Sequence, residues 1–405
     1  MTMTERLYYT DSYLRAFTAN LVETSPDGLT AYLDRTAFYP ASGGQPFDTG
    51  SIAGIAVVEV VDEDQRIGHR LAAPAAPGPV ECLLDWPRRF DHMQQHSGQH
   101  LLSAVFAASF RLQTVSFHLG AQSSTIDLEG DSLDARLAAE AERRANQLVC
   151  ENRPLSVSFE EAAQAADLRK ASERTGALRI VSIADLDRSA CGGTHVAATG
   201  EIGCILLRKL EKVRKTVRVE FLCGARAVAR AHADFEALNR AAQAFSAPLD
   251  EVPALIASQL DSARVADKAR RKLELEVAGY RGRELYQTCP AGAGGIRRHI
   301  ERAARGNLED LRAVAQSFTA QPAAIFLAVL EEPPALLLAS SADSGLDGGA
   351  LLKAALSAAG GRGGGTPRMA QGSLPTRAQL DQALARIVGQ IGNLPADCGG
   401  ADLSL

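Results

Sequence analysis

Four side chains able to hold a metal ion stand in two pairs. His96 and His100 belong to the run His96-Ser97-Gly98-Gln99-His100, and Cys191 and His195 to Cys191-Gly192-Gly193-Thr194-His195, roughly ninety residues later. Residues four apart on a helix project from nearly one face, so His96 and His100 can reach a single cation. A glycine-rich turn carrying CxxxH adds a thiolate and an imidazole from a second segment. Nitrogen and sulfur donors suit Zn2+, whereas Mg2+ and Ca2+ take oxygen. Spacing leaves one ambiguity: His92 also precedes His96 by four residues, so 92/96 competes with 96/100. The alternative to a metal site is a polar helix face beside an unrelated loop cysteine. The HExxH arrangement of zinc proteases is absent, because Ser97 stands where its glutamate would be.

The elements that must position these donors follow from periodicity and turn chemistry. Residues 1 to about 88 read as strand-rich, with Leu29 to Leu33 and Ile55 to Val61 separated by turn formers such as Ser25-Pro26-Asp27-Gly28. A capping box of Asp91 and Gln94 predicts a helix from Asp91 to about Phe110. On it Leu101, Leu102, Val105 and Phe106 gather away from the histidines, which therefore face a different layer or a cleft. Ser132 to Cys150 reads as a helix, and Leu155–Phe159, Leu178–Ile183, Ile205–Lys209 and Thr216–Leu222 as strands. Residues 225 to about 285 are alanine-rich and charged, and predict two helices broken at Pro248 and Pro253. After about residue 290 an α/β pattern returns, with the glycine run 360–365 between two candidate helices, Leu351–Ala359 and Arg377–Ile391. That run is no P-loop, and a flexible turn is its plain reading.

Composition bounds the rest. At 405 residues the chain should divide into about two to four domains. Its longest apolar runs fall far short of the ~20 residues of a membrane span, and its first residues carry no export pattern, so a cytoplasmic protein is expected. The seven cysteines form no CxxC pair, which predicts reduced thiols; apart from Cys191 they read as small buried hydrophobes. The net charge of −5 does not favour nucleic acid, although basic clusters occur around Arg208–Arg218 and Lys268–Lys272. Those clusters read either as solvated surface or as phosphate contacts.

The two donor runs, extended to HSGQHLLSAVF and CGGTHVAATGEIG, resemble the editing domain of alanyl-tRNA synthetase and its free-standing AlaX-type relatives. Thr36-Ala37-Phe38-Tyr39-Pro40-Ala41-Ser42-Gly43-Gly44-Gln45-Pro46 with Asp48-Thr49-Gly50 resembles the motif preceding that domain. The run from Gly363 to Gly372 is similar to the glycine signature of the DHH-associated domain, with Arg368 where an acidic residue is common. The resemblance spans nearly the whole chain. It implies an α+β protein in four parts: a β-rich, barrel-like N-terminal domain (1–90), an α+β zinc-containing editing domain (91–224), a helical linker (225–288) and a C-terminal α/β DHH-associated tRNA-binding domain (289–405).

The resemblance also implies roles. The metal ligands become His96, His100, Cys191 and His195, with one zinc per chain and His92 only a neighbour. Thr36 matches a pocket threonine, with Gln45 and His118 as further substrate-side candidates; for Thr36 and His118 an ordinary strand residue is the alternative. Arg362, Gly363 and Gly364 would meet tRNA phosphate. The implied activity is hydrolysis of mischarged alanine tRNA carrying serine or glycine. The editing-like segments begin almost at the first residue, which leaves no room for an ATP-dependent activating domain. Serine is larger than alanine, so a pocket must use the hydroxyl rather than size to tell them apart. Two other functions compete: a zinc-stabilised tRNA-binding protein without catalysis, and a zinc hydrolase of another ester or amide. No general base is identified. The partners implied are alanine tRNA and a second copy through the linker or C-terminal domain, with no membrane.

Overall fold

The computed structural model describes residues 3–165, 167–171 and 175–392. They fall into two compact units, which divide after Leu249.

In the first unit the strands β1 (Glu5–Arg6), β2 (Ala16–Thr24), β3 (Thr30–Leu33), β4 (Arg35–Thr36), β5 (Gly50–Ile52), β6 (Ile55–Glu63), β7 (Arg66–Leu71) and β8 (Gly78–Leu84) come first. Six of them pair in the order β2-β3-β7-β6-β5-β8, and β8 pairs back onto β2. Alternation puts Leu21, Leu33, Ile52, Val60, Ile67 and Cys82 inside, where they are buried. Closure rests on β5, which offers only three residue pairs to each neighbour.

Helix α1 (Trp86–Phe110) follows. Its start is set by Asp85, which accepts from the Arg88 backbone N–H, and by a proline in the first turn. The expected start at Asp91 is therefore corrected to Trp86. Asp91 instead receives Arg226 and Gln95, so its carboxylate ties helices together rather than capping one. Positions 92 to 106 of α1 are all buried, which makes it the centre of its layer rather than an amphipathic surface helix. Around it lie β9 (Thr114–Leu119), β10 (Ser124–Glu129), α2 (Ala135–Cys150), β11 (Leu155–Glu161), β12 (Ala177–Ile183), β13 (Asp187–Ala190), β14 (Ile205–Val213), β15 (Thr216–Cys223) and α3 (Gly224–Phe245). They make two antiparallel sheets, β14-β15-β10-β9 and β11-β12-β13. Leu101, Leu102, Val105 and Phe106 pack with Ile126, Val219 and Phe221.

The second unit begins with α4 (Val252–Thr288) and continues through β16 (Arg297–Arg305), α5 (Leu308–Thr319), β17 (Ala324–Glu332), β18 (Ala335–Ser340), α6 (Gly348–Ala358), β19 (Arg362–Thr366), β20 (Met369–Ser373) and α7 (Arg377–Ile391). Its sheet runs β16-β17-β18-β20-β19, parallel only between β16 and β17.

The expected architecture needs correction on three points. The N-terminal strands are not a free-standing barrel-like domain; their small ring shares one unit with α1 and two further sheets. The buried Arg89 of α1 explains this, because it binds Asp48 and the Ala37 and Ser12 carbonyls across the N-terminal segment. The two linker helices are not a separate layer either: α3 belongs to the first unit and α4 to the second. Finally, the C-terminal sheet is mostly antiparallel, so α/β is replaced by a mixed sheet. Only Gly360 and Gly361 of the glycine run precede the strand, Gly360 in a turn; from Arg362 onward it is no flexible turn but the edge strand β19. A Cβ on Gly363 would meet Gln371 O at 2.5 Å, and one on Gly365 would meet Met369 O at 2.3 Å, so close pairing with β20 requires glycine there.

Among the other cysteines, Cys82, Cys223 and Cys289 are buried as expected, whereas Cys150 and Cys204 are exposed. Cys398 lies outside the described residues. Arg208, Lys209, Lys212 and Arg218 each lie against a carboxylate, as do Arg270 and Lys272. No helix among the described residues is long and apolar enough to cross a membrane.

Candidate metal centre

Helix α1 presents His96 and His100 one turn apart, and the turn after β13 brings Cys191 and His195 against them. The ring of His195 sits 4.4 Å from that of His96 and 4.7 Å from that of His100. Cys191 Sγ lies 3.5 Å from His96 Nε2 and 3.3 Å from His195 Nε2. One donor atom from each of the four residues falls within 4.8 Å of every other. Zinc bonds of the usual length arranged as a tetrahedron place neighbouring N and S donors about 3.5 Å apart. The two contacts of Cys191 match that spacing, and the four donors lie close enough together to surround a zinc-sized cation. His92 is buried on α1 but stands outside this group.

What orients the rings is as telling as the rings themselves. His96 Nδ1 is 2.8 Å from Gln45 Oε1, which also accepts from the Thr194 backbone N–H at 3.1 Å. An oxygen acceptor there fixes the proton on His96 Nδ1 and leaves Nε2 bare toward Cys191. His195 Nδ1 meets Ser97 Oγ at 3.1 Å, and His100 Nδ1 meets Asp187 Oδ2 at 3.4 Å. Asp187 is itself held by Arg169 at 2.8 Å and Ser189 at 2.9 Å. All three imidazoles thus turn their Nδ1 outward to a protein partner, the arrangement that metal-binding histidines adopt. The turn can come this close only because Gly193 lacks a side chain: a Cβ there would stand 2.2 Å from the His96 ring.

Electrostatics favour a thiolate at Cys191 and a neutral imidazole at His195, whereas His100 must release a proton to bind a cation. Burial opposes ionisation of the Cys191 thiol, but His96 and His195 beside it and the hydrogen bond from His100 hold it well below its ordinary value. Burial, with His96 nearby, lowers His195 to about 3. Burial would also lower His100, yet Asp187 and Cys191 raise it to about 9.

The group opens into a cleft of about 710 Å3 whose walls include Tyr9, Tyr39, Phe117, Phe159 and Arg179. The substrate-side residues expected from sequence are placed differently from one another. Gln45 is buried and spans the two donor segments, donating from Nε2 to Thr194 Oγ1 at 2.8 Å. Thr36 is buried within the N-terminal segment with its hydroxyl 2.8 Å from His69 Nε2, and does not line the cleft. His118 is exposed on β9 and does not line it either. In the second unit, Arg362, Gly363 and Gly364 lie on β19, and Gly364 borders a separate cavity of about 540 Å3 with Arg312 and Arg368. Sequence reasoning missed Ser97, Arg169, Asp187 and Thr194 as supports of the centre. Ser97 and Thr194 sit inside the two donor runs, but Asp187 and Arg169 carry no local pattern that would single them out.

Comparison with known proteins accounts for both units. Residues 178–219 match the threonyl and alanyl tRNA synthetase second additional domain, and residues 300–393 match the DHHA1 domain. The chain is 30% identical to alanyl-tRNA editing protein AlaX-L of Pyrococcus horikoshii over 95% of its own length and 98% of that protein. It is 31% identical to alanyl-tRNA editing protein Aarsd1 of Mus musculus over 82% of its length and 86% of that protein. Alanine–tRNA ligase of Pyrococcus abyssi is 29% identical over 95% of this chain but only 43% of the ligase. Similarity at this level along almost the full length of both chains has one meaning: this protein belongs to the alanyl-tRNA editing protein family.

Proposed function

We propose that the protein hydrolyses the aminoacyl ester of mischarged alanine tRNA, with serine and glycine as the amino acids removed. One observation carries the reading. A buried group of three histidines and one cysteine, every imidazole oriented by a protein acceptor or hydroxyl, stands in the wall of a cleft large enough for the end of a nucleic acid chain. His96, His100, Cys191 and His195 would hold one zinc ion, which supplies Lewis acidity or anchors the substrate when bound. Gln45 and Asp187, as acceptors, keep His96 and His100 in the ligand tautomer, and Ser97 orients the His195 ring.

Selectivity is the part that asks most of the pocket. Among the sequence candidates, Gln45 acts through His96, and His118 offers an exposed imidazole on β9. Thr36 can recognise a serine hydroxyl only if its own hydroxyl leaves His69. The proposal extends to the second unit, where Arg362, Gly363 and Gly364 contact tRNA phosphate, and to a cytoplasmic protein that self-associates through α3 or the second unit. The functional divisions expected at 90/91, 224/225 and 288/289 describe roles rather than folded units, since 90/91 falls inside α1 and the compact units divide after Leu249. Incubating the purified protein with Ser-, Gly- and Ala-charged alanine tRNA and following ester loss tests the reading. Release of serine or glycine with alanine retained supports it, and no release of any of the three overturns it.

A further inference from the structure

The cleft beside the metal centre contains a buried cation that no carboxylate among the described residues neutralises. Arg179 is 8% exposed. Its Nε donates to Tyr9 O at 2.9 Å and its Nη1 to Cys191 O at 2.7 Å, but Nη2 is buried without a hydrogen-bond partner among the described residues. The other arginines lining the cleft are satisfied: Arg6 forms two 2.7 Å bonds to Asp62, and Arg169 binds Asp187. A buried guanidinium held only by carbonyls retains most of its desolvation cost, and an unsatisfied charged N–H adds to it.

A second orphan lies on the same wall. The Tyr8 hydroxyl is buried and unpartnered among the described residues, on a side chain 1% exposed. Tyr8 and Tyr9 stack edge to face at 4.9 Å, and the Arg179 guanidinium carbon is 5.7 Å from the Tyr9 ring centre. Directly across the β11–β12 pair from Arg179 stands Phe159, an aromatic that is 55% exposed although it lines a cleft. Two unsatisfied donors and a bare aromatic face thus share one wall, next to the Cys191 carbonyl.

We propose that Arg179 and Tyr8 receive a phosphate oxygen and Phe159 stacks on a base, so that this wall is the subsite for the terminal nucleoside 5′-phosphate of an RNA 3′ end. The assignment rests on the hydrolase reading above and names how its substrate is held. The Cys191 thiolate lies near Arg179 but is not among its hydrogen-bond partners, so an anion at Nη2 supplies the charge-assisted bond that Arg179 lacks, and base stacking on an exposed ring needs no particular base. The subsite positions the 3′ ribose toward the metal centre because Arg179 is fastened to the Cys191 backbone through both its side chain and its main chain.

The test uses the full chain, with adenosine 5′-monophosphate and adenosine as probes in direct binding titrations. The parent should bind the monophosphate about tenfold more tightly than the nucleoside, the worth of one charge-assisted bond. Arg179→Met should abolish that preference, Tyr8→Phe should reduce it, and Phe159→Ala should weaken both probes alike. On aminoacyl-tRNA, Arg179→Met should raise KM more than it lowers kcat, and the loss of kcat/KM should be about tenfold larger there than on a 3′-aminoacyl adenosine without the phosphate. Equal loss of kcat on both substrates would overturn the proposal in favour of a donor to the reacting carbonyl. Equal binding of both probes by the parent would also overturn it. If Arg179→Met fails to fold, Tyr8→Phe and Phe159→Ala decide by the same ratios. The binding readout stands even if ester hydrolysis of charged tRNA proves absent, so failure of the subsite and failure of the hydrolase reading are distinguishable.

Discussion

Gln45 Oε1 lies 2.8 Å from His96 Nδ1, and this one contact joins the N-terminal segment to the metal centre. The same amide binds Thr194 through both its oxygen and its nitrogen, so it also fixes the turn that carries Cys191 and His195. Gln45→Leu removes both ties while keeping the volume close. It should weaken zinc binding roughly 10- to 100-fold, the usual cost of losing such a support. Competition against a chelator of known affinity measures this, and unchanged affinity would show that His96 needs no partner.

Replacing Cys191 with alanine should lower zinc content and activity together. Cys150→Ala, at an exposed helix end, and Cys289→Ala, in the second unit, should leave both as they are. Elemental analysis of the three purified variants is the check. Full activity of the parent after complete chelation would separate the hydrolase from its metal.

How much of this was legible depends on the range of the interactions. His96, Cys191 and His195 were readable because HxxxH and CxxxH are local patterns whose geometry the backbone fixes, but the same spacing left His92 level with His100 until the family resemblance chose between them. Their supports were not, since Asp187 and Gln45 reach the histidines only after the chain has folded. Asp91 and Gln94 imitate a capping box, but Asp85 with Pro87 forms the real helix start. That error came from weighing one local pattern against another with no tertiary contact to decide. The glycine run 360–365 misled for a different reason: glycine disfavours strands by propensity, yet here the absence of a side chain is what lets β19 approach β20. Architecture was misjudged where the sequence shows composition but not packing, as in α3 and α4.

Thr36 and His69 make a pH-dependent pair. His69 Nδ1 faces the Ala31 carbonyl at 3.1 Å, so it carries the proton and Nε2 accepts from the Thr36 hydroxyl. Burial lowers His69 to about 4, from about 6.5 when unfolded. Its folded value is depressed, so the neutral ring's contribution is complete above about pH 6.5. It is lost progressively as pH falls toward 4, amounting to about 3 kcal/mol at most. His69→Gln should flatten part of the acid limb of the stability curve, measured by urea unfolding between pH 4 and 8. Thr36→Val should cost about 1–3 kcal/mol at neutral pH, because it leaves the buried His69 Nε2 without a donor. The same variant should discriminate serine from alanine esters less well if Thr36 contacts substrate; unaltered discrimination with reduced stability makes it a structural residue alone.

The two compact units should be separable in function. The first carries all four metal donors and the cleft, and the second carries β19 with Arg362 and Gly364. A chain ending at Leu249 is the right division, because α3 is tied to the first unit by Arg226, which binds Asp91 and the Gly120 carbonyl. Stopping near residue 225 would cut those bonds and confuse unfolding with loss of tRNA contacts. The shortened chain should keep zinc and hydrolyse aminoacyl ester, but bind tRNA more weakly. Phosphate contacts act through counterion release, so the gap between the short and full chains should narrow as salt rises. A partner copy held through α4 would give a different pattern, a gap that persists at high salt and accompanies a halved molecular mass. Measuring affinity and mass of both chains across one salt series separates the two, and equal affinity at every salt concentration would remove tRNA binding from the second unit.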